Sequence, residues 1–371
     1  MIYLDSAATS LLKPSTVEHE LIKALRSFAS PGRGGHRPSL GAASIVYDCR
    51  EAAAELFNVD NPERIVFTFN ATHALNIAIK GLAAPGSTVL VSGFEHNSVT
   101  RPLKALGADI VRCGTTLFDP ADTLKHFEEN IKRADLVVCT HVSNVFGYIL
   151  PIYDLAELCM KNSVPLIVDA SQSAGILKID AKKLGAAFIC MPGHKGLMGP
   201  QGTGILICGS DGVPLMHGGS GSDSISQNMP EYLPERLEAG THNVCGIAGL
   251  LAGIKYVSEK GTDNIFRHEN GLMKTMIEEL DGEKVKLYVS YSSPQAPVLS
   301  CIFPGFGCEE LAHSLGQRDI CVRAGLHCAP FAHQSAGTEK TGTVRISFSP
   351  FLDERQIKKA SDILKQIINN A

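Results

Sequence analysis

Lys195 stands in a glycine-rich stretch, Pro192-Gly-His-Lys-Gly-Leu-Met-Gly-Pro-Gln-Gly-Thr-Gly204, directly after an apolar run. A lysine at the end of a buried strand is poorly solvated. Desolvation lowers the pKa of an ammonium, and the neutral amine attacks carbonyls to form Schiff bases. A solvated lysine in a turn is the plainer alternative. The glycines form neither a P-loop, since no Gly-x-x-x-x-Gly-Lys-Ser/Thr occurs, nor a dinucleotide fingerprint, since a strand rather than a helix follows. Upstream, Asp169 ends the apolar run 165–169. An acid at a strand's carboxyl end holds a protonated ring nitrogen or a metal, or simply caps a helix.

Further residues join this pair. A lysine for an imine and an acid for a pyridinium nitrogen are the two groups that pyridoxal phosphate needs. The run 64–69 leads into Asn70-Ala71-Thr72, where a helix begins. The backbone N–H groups and dipole of such an end attract phosphate. His96 follows a strand and is placed to stack on a ring or move protons, or to sit quietly in a loop. Asn144 occupies a similar position after 136–140. Cys328 follows a glycine turn beside His327 and near Arg323. A loop thiol among cations becomes a nucleophilic thiolate, whereas most free cysteines are small buried residues. The set Cys308, His313, His327, Cys328 and His333 matches no zinc spacing, so no metal site is expected.

These residues need a scaffold. The runs 64–69, 88–92, 109–112, 136–140, 165–169, 188–191 and 204–208 are almost wholly apolar, as parallel strands buried on both faces are. Helical spacing separates most of them, at 71–81 and 151–162 for example, which predicts a mostly parallel seven-stranded α/β sheet. Two helices precede it, one from a Ser15/Glu18 capping box and one over 40–57, with a polar loop 31–38 between them. Past residue 241, long helical patterns at 244–260, 264–280 and 353–368 surround strands 298–303 and 344–348. We read 15–245 as a large domain, 246–371 as a smaller α+β domain and 1–14 as a joining segment.

The chain has 371 residues and a net charge of −4, without the basic surface that nucleic acids require. No apolar stretch reaches membrane-spanning length. The 11 cysteines contain no C-x-x-C, and no signal-peptide pattern is present, so reduced thiols in a cytoplasmic protein are expected.

Taken in order, the motifs resemble the cysteine desulfurase and selenocysteine lyase family, pyridoxal-phosphate enzymes of fold type I in the class V aminotransferase group. The matching stretches are Tyr3-Leu-Asp-Ser-Ala-Ala-Thr9, Arg33-Gly-Gly-His36, Glu95-His96, Ser143-Asn-Val-Phe-Gly147, Val168-Asp-Ala-Ser-Gln172, Gly193-His-Lys195 and Glu238-Ala-Gly-Thr241. Arg323-x-Gly-x-His-Cys328 resembles the SufS-like branch. The resemblance implies that Lys195 carries the cofactor, His96 stacks on its ring and moves protons, Asp169 pairs with the ring nitrogen and Gln172 bonds the ring oxygen. It implies that Asn144 contacts the ring oxygen or the substrate carboxylate, and that Ala71, Thr72 and His194 hold the phosphate. Thr241 would reach the phosphate of a neighbouring subunit in a homodimer. Arg345, with Arg33 and His36, would bind the substrate. Cys328 would take sulfur from L-cysteine, or selenium from L-selenocysteine, release alanine and pass sulfur to an acceptor protein, as in iron–sulfur cluster assembly. Pro192, Ala71, His242 and Leu326 depart from the family pattern. An aminotransferase, epimerase or β-lyase working without a persulfide, and a non-catalytic carrier, remain the alternatives.

Overall fold

The computed structural model describes residues 1–32, 34–222 and 224–369. A two-residue strand, β1 (Ile2–Tyr3), and two helices, α1 (Ser15–Ser27) and α2 (Arg37–Phe57), precede the main sheet. Pro14, not Ser15, is the N-cap of α1, and no side chain bonds there. Ser15 is already helical, so its spacing to Glu18 is one residue out of register for a capping box.

Seven strands follow: β2 (Ile65–Thr68), β3 (Thr88–Ser92), β4 (Asp109–Cys113), β5 (Leu136–Thr140), β6 (Leu166–Asp169), β7 (Phe188–Pro192) and β8 (Gly204–Cys208). Their order across the sheet is β2-β8-β7-β6-β5-β3-β4. Every pairing is parallel except those of β8, which runs antiparallel to both β2 and β7. The connection 193–203 contains no helix to carry the chain back across the sheet, so β8 must reverse direction. That same connection carries Lys195.

Strand β3 lies between β4 and β5, so the chain turns outward in opposite directions on either side of it. The carboxyl ends of strands at such a reversal form the ligand crevice of an open α/β sheet. Helices α3 (Ala71–Leu82) and α4 (Asn97–Leu106) start at that edge, directly after β2 and β3.

The second unit has an antiparallel sheet. Its strands are β9 (Lys286–Tyr288), β10 (Val298–Ile302), β12 (Arg323–Gly325) and β13 (Thr343–Ser347), in the order β12-β13-β10-β9; β11 (Ile320–Cys321) pairs with β1. Ile2 and Leu4 lie in the apolar core of this unit with Leu299, Ile320 and Ile346. The first residues therefore belong to the small unit rather than merely joining the two. Helix Val244–Lys260 buries Val244, Ile247, Leu250 and Ile254 in the core of the large unit. The boundary drawn between 245 and 246 falls at the first turn of this helix.

Candidate active site

Eight of the residues singled out in the sequence line one cavity of about 210 Å³: Ala71, Thr72, His96, Asn144, Asp169, Gln172, His194 and Lys195. They come from the ends of β2, β3, β5, β6 and β7, where the sheet topology places a ligand. Lys195 is half-buried at the wall of this cavity. Burial lowers its pKa to about 8, against the opposing pull of Asp169. The glycines on either side of it serve approach rather than flexibility. A Cβ on Gly196 would strike the Ala174 carbonyl, and one on Gly193 would strike the Thr203 hydroxyl.

Asp169 is 2% exposed. Its Oδ1 accepts from the Ser171 backbone at 2.9 Å and the Ser171 hydroxyl at 2.5 Å, and its Oδ2 has no hydrogen-bond partner among the described residues. A buried carboxylate with one oxygen fixed and the other facing a cavity suits a protonated ring nitrogen. His96 caps α4, its Nδ1 accepting from Ser98 N at 3.0 Å. Burial pushes its pKa down to about 4 despite Asp169, so the imidazole is neutral and Nε2 carries the proton. Ser98 also bonds Thr72, hydroxyl to hydroxyl at 2.8 Å, and thereby ties the start of α3 to that of α4. Asn70 caps α3 through His73 N, which leaves the amides of Ala71 and Thr72 at a free helix end.

The Lys195 loop is strapped from the amino-terminal segment. Ser10 Oγ donates to the His194 carbonyl at 3.0 Å, and Lys13 Nζ donates to the Gly199 carbonyl at 2.6 Å. Gln172 spends its amide on the Ala7 carbonyl at 2.9 Å. Burial lowers the pKa of His194 to about 4, helped by Lys195 and Lys13.

Arg345 lies outside the cavity lining. It is 2% exposed; Nη2 donates to Asp5 at 2.9 Å and Nη1 to the Asn144 carbonyl at 3.0 Å, while Nε is buried without a partner among the described residues. Arg323 grips the same Asp5 carboxylate through Nε and Nη2. Thr241 occupies a separate cleft with Phe69, Glu238 and His242. Beneath that cleft Glu238 accepts from Arg50 at 2.8 and 2.5 Å, from Phe67 N at 2.6 Å and faces His242 at 3.1 Å. His36 is exposed and caps α2, away from the cavity, and Arg33 lies outside the described residues.

Cys328 is the one cysteine with an exposed side chain among the described residues, and most of the others are buried. His327 does not supply the cation expected beside it. Its ring turns inward to Thr343 Oγ1 at 3.1 Å, and burial holds its pKa far below the usual value, so it is neutral. Arg323 is the charged neighbour instead. Asn144 points its amide at the His327 carbonyl, 2.8 Å away, rather than standing free in the cavity.

Sequence reading missed Asp5, Ser98, Ser171 and Lys13. Ser98 and Ser171 each stand two residues after a site residue, His96 and Asp169, where a short hydroxyl side chain folds back on its neighbour. That spacing was readable. Asp5 and Lys13 act across the fold and leave no local mark.

The chain matches the family described as aminotransferase class-V over residues 2–359. It is 33% identical to a probable cysteine desulfurase of Pyrococcus abyssi, covering 100% of this chain and 95% of the relative. A probable cysteine desulfurase of Methanothermobacter thermautotrophicus is 32% identical, covering 99% and 94%. The solved apo structure of a cysteine desulfurase from Thermococcus onnurineus NA1 superposes with a TM-score of 0.92 at 32% identity, over 100% of this chain and 95% of that one. The chain belongs to the aminotransferase class-V family and, within it, to the cysteine desulfurases.

Proposed function

We propose that this protein uses pyridoxal phosphate to convert L-cysteine to L-alanine, with the sulfur retained on Cys328. The supporting observation is that an exposed thiol on a loop is fastened to the wall of the cavity that Lys195, Asp169 and His96 line. The residues fit the cofactor chemically. A partly neutral, half-buried lysine, a carboxylate with a free oxygen, a neutral histidine and a free helix end meet its aldehyde, ring nitrogen, ring face and phosphate. Pro192 offers no hydroxyl for the phosphate, so Thr72 and His194 carry more of that task.

When bound, the cofactor supplies an electron sink for the bond broken at the substrate Cα. Lys195 Nζ takes the Cα proton and later returns it to the product carbon skeleton. Asp169 Oδ2 holds a proton on the ring nitrogen. Cys328 Sγ attacks the substrate sulfur; an S–S bond forms as the Cβ–S bond breaks. Both sulfurs are oxidised by one electron each, and Cβ is reduced by two. The thiol proton ends on the product, so L-cysteine and a thiol give L-alanine and a persulfide with atoms balanced.

The reading extends to a homodimer in which Thr241 completes a phosphate site across the interface. Its support is that Thr241 stands apart from the Lys195 cavity, beside Phe69, which is 53% exposed. It extends also to an acceptor protein for the persulfide sulfur. Whether selenium replaces sulfur is settled by the same assay. Purified holoenzyme is incubated with L-cysteine and with L-selenocysteine, and alanine is quantified. Alanine from cysteine, with one added sulfur on Cys328 by mass spectrometry, is the expected result; pyruvate or a keto acid in its place overturns it.

A further inference from the structure

His327 and Cys328 both adopt the left-handed backbone region, with φ of 48° and 57°. Histidine visits that region more readily than most side chains and cysteine does not, and two non-glycine residues there in succession persist only where their surroundings hold them. Two hydrogen bonds do so. The Asn97 backbone N–H donates to the Cys328 carbonyl at 2.7 Å, and the Asn144 side-chain amide donates to the His327 carbonyl at 2.8 Å. The tethers come from the ends of the neighbouring parallel strands β3 and β5. A third bond, from Ala329 N to the Leu326 carbonyl at 2.9 Å, closes the turn on itself.

The two tethers differ in kind. That of Asn97 is a main-chain bond at the first turn of α4 and is fixed while the helix is. That of Asn144 is a side chain that also lines the Lys195 cavity. Its backbone is pinned, since Arg345 Nη1 donates to its carbonyl, but its amide can turn. An anionic acceptor in the cavity draws an amide N–H more strongly than the neutral His327 carbonyl does.

We propose that Asn144 is a positioning residue that moves its amide from the His327 carbonyl to a carboxylate in the cavity, so that occupancy by an amino acid releases the strained Cys328 turn. This rests on the reading that the cavity takes an amino acid beside pyridoxal phosphate. Loop freedom then arises when an amino acid occupies the cavity, and the thiol is held still while the cavity is empty of one.

The test is hydrogen exchange at the Ala329 amide in the holoenzyme, with and without L-alanine, a carboxylate-bearing probe that has no sulfur to lose. L-Alanine should speed exchange by between about twofold and tenfold, the effect of one ordinary hydrogen bond. Asn144→Ala should exchange at that faster rate without L-alanine and show no response to it. Asn97→Pro serves as the second variant. It deletes one donor at a helix position that welcomes proline, after a residue whose ψ of 157° already suits a following proline. It should exchange faster at rest and still respond to L-alanine through Asn144. Exchange unchanged or slowed by L-alanine in the wild type, or a full response in Asn144→Ala, overturns the proposal. Alanine release from L-cysteine is measured in parallel. A responsive turn in a protein that makes no alanine upholds the coupling and sinks the desulfurase reading; an unresponsive turn in an active enzyme does the reverse.

Discussion

Asp5 and Arg345 form a buried ion pair at 2.9 Å across 340 positions of sequence, and the same carboxylate is held from its other side by Arg323. One acid, Asp5, thus pairs with and orients two arginines of the small unit. Asp5→Asn leaves Arg345 buried without its counter-charge. Removing one partner of such a pair costs about 3–5 kcal/mol. The midpoint of denaturant unfolding should fall accordingly, and a midpoint unchanged from wild type would show that Arg323 and solvent compensate.

Lys195 is held largely as an ammonium below about 8 and as a free amine above it, because burial penalises its charge. Only the free amine condenses with an aldehyde. The rate at which apoprotein takes up pyridoxal phosphate should therefore rise as the pH is raised through about 8 and level off above. A profile still climbing near the ordinary lysine value of 10.5 would contradict the burial effect. Lys195→Ala should give no lysine-linked chromophore at any pH.

Cys328→Ser keeps the shape of the loop and both tethers. Cofactor absorbance should be retained while alanine formation from L-cysteine falls by at least about a hundredfold, as expected for loss of a positioned nucleophile. Undiminished alanine formation would place the sulfur-accepting group elsewhere.

Glu238 is 6% exposed and meets Arg50, His242 and the Phe67 amide. Burial works to raise its pKa, but Arg50 and His242 outweigh it and the net shift is downward. Glu238→Gln should destabilise the fold by about 3–5 kcal/mol. A group whose folded pKa is depressed contributes fully above its ordinary value and loses that contribution as the pH falls through the folded one. The gap between wild type and variant should hold at neutral pH and narrow once the pH drops below the ordinary value of 4.5. A constant gap into strong acid would mean that shape, not charge, carries the effect.

Much of this architecture was legible because buried parallel strands announce themselves as unbroken apolar runs. Expected strands 88–92, 136–140 and 204–208 coincide with β3, β5 and β8, and the helix 244–260 with its observed bounds. The direction of β8 was not legible, since apolarity does not encode orientation. The residues that meet in the cavity were picked out by type and by position after strands. What their side chains do there was harder to read. Asn144 spends its amide on a carbonyl distant in sequence, and His327 turns its ring inward, because tertiary partners decide both. Arg345 was expected at the substrate and lies instead behind Asn144, held by Asp5.

The pairing of β1 with β11 bears on how the molecule comes into being. Ile2 and Tyr3 sit against Ile320 and Cys321, and Asp5 bridges to Ser347. During synthesis these residues must wait, unpaired, until some three hundred and more residues have followed them. The large unit can fold in the meantime, since domains form as units with the earlier one first. The straps from Ser10 and Lys13 to the Lys195 loop and the Asp5 anchor of both arginines then fall into place together at the end. Contacts of such sequence separation slow folding. A half-made chain would carry an incomplete site, and the ability to take up an aldehyde would arrive late, with the last strand.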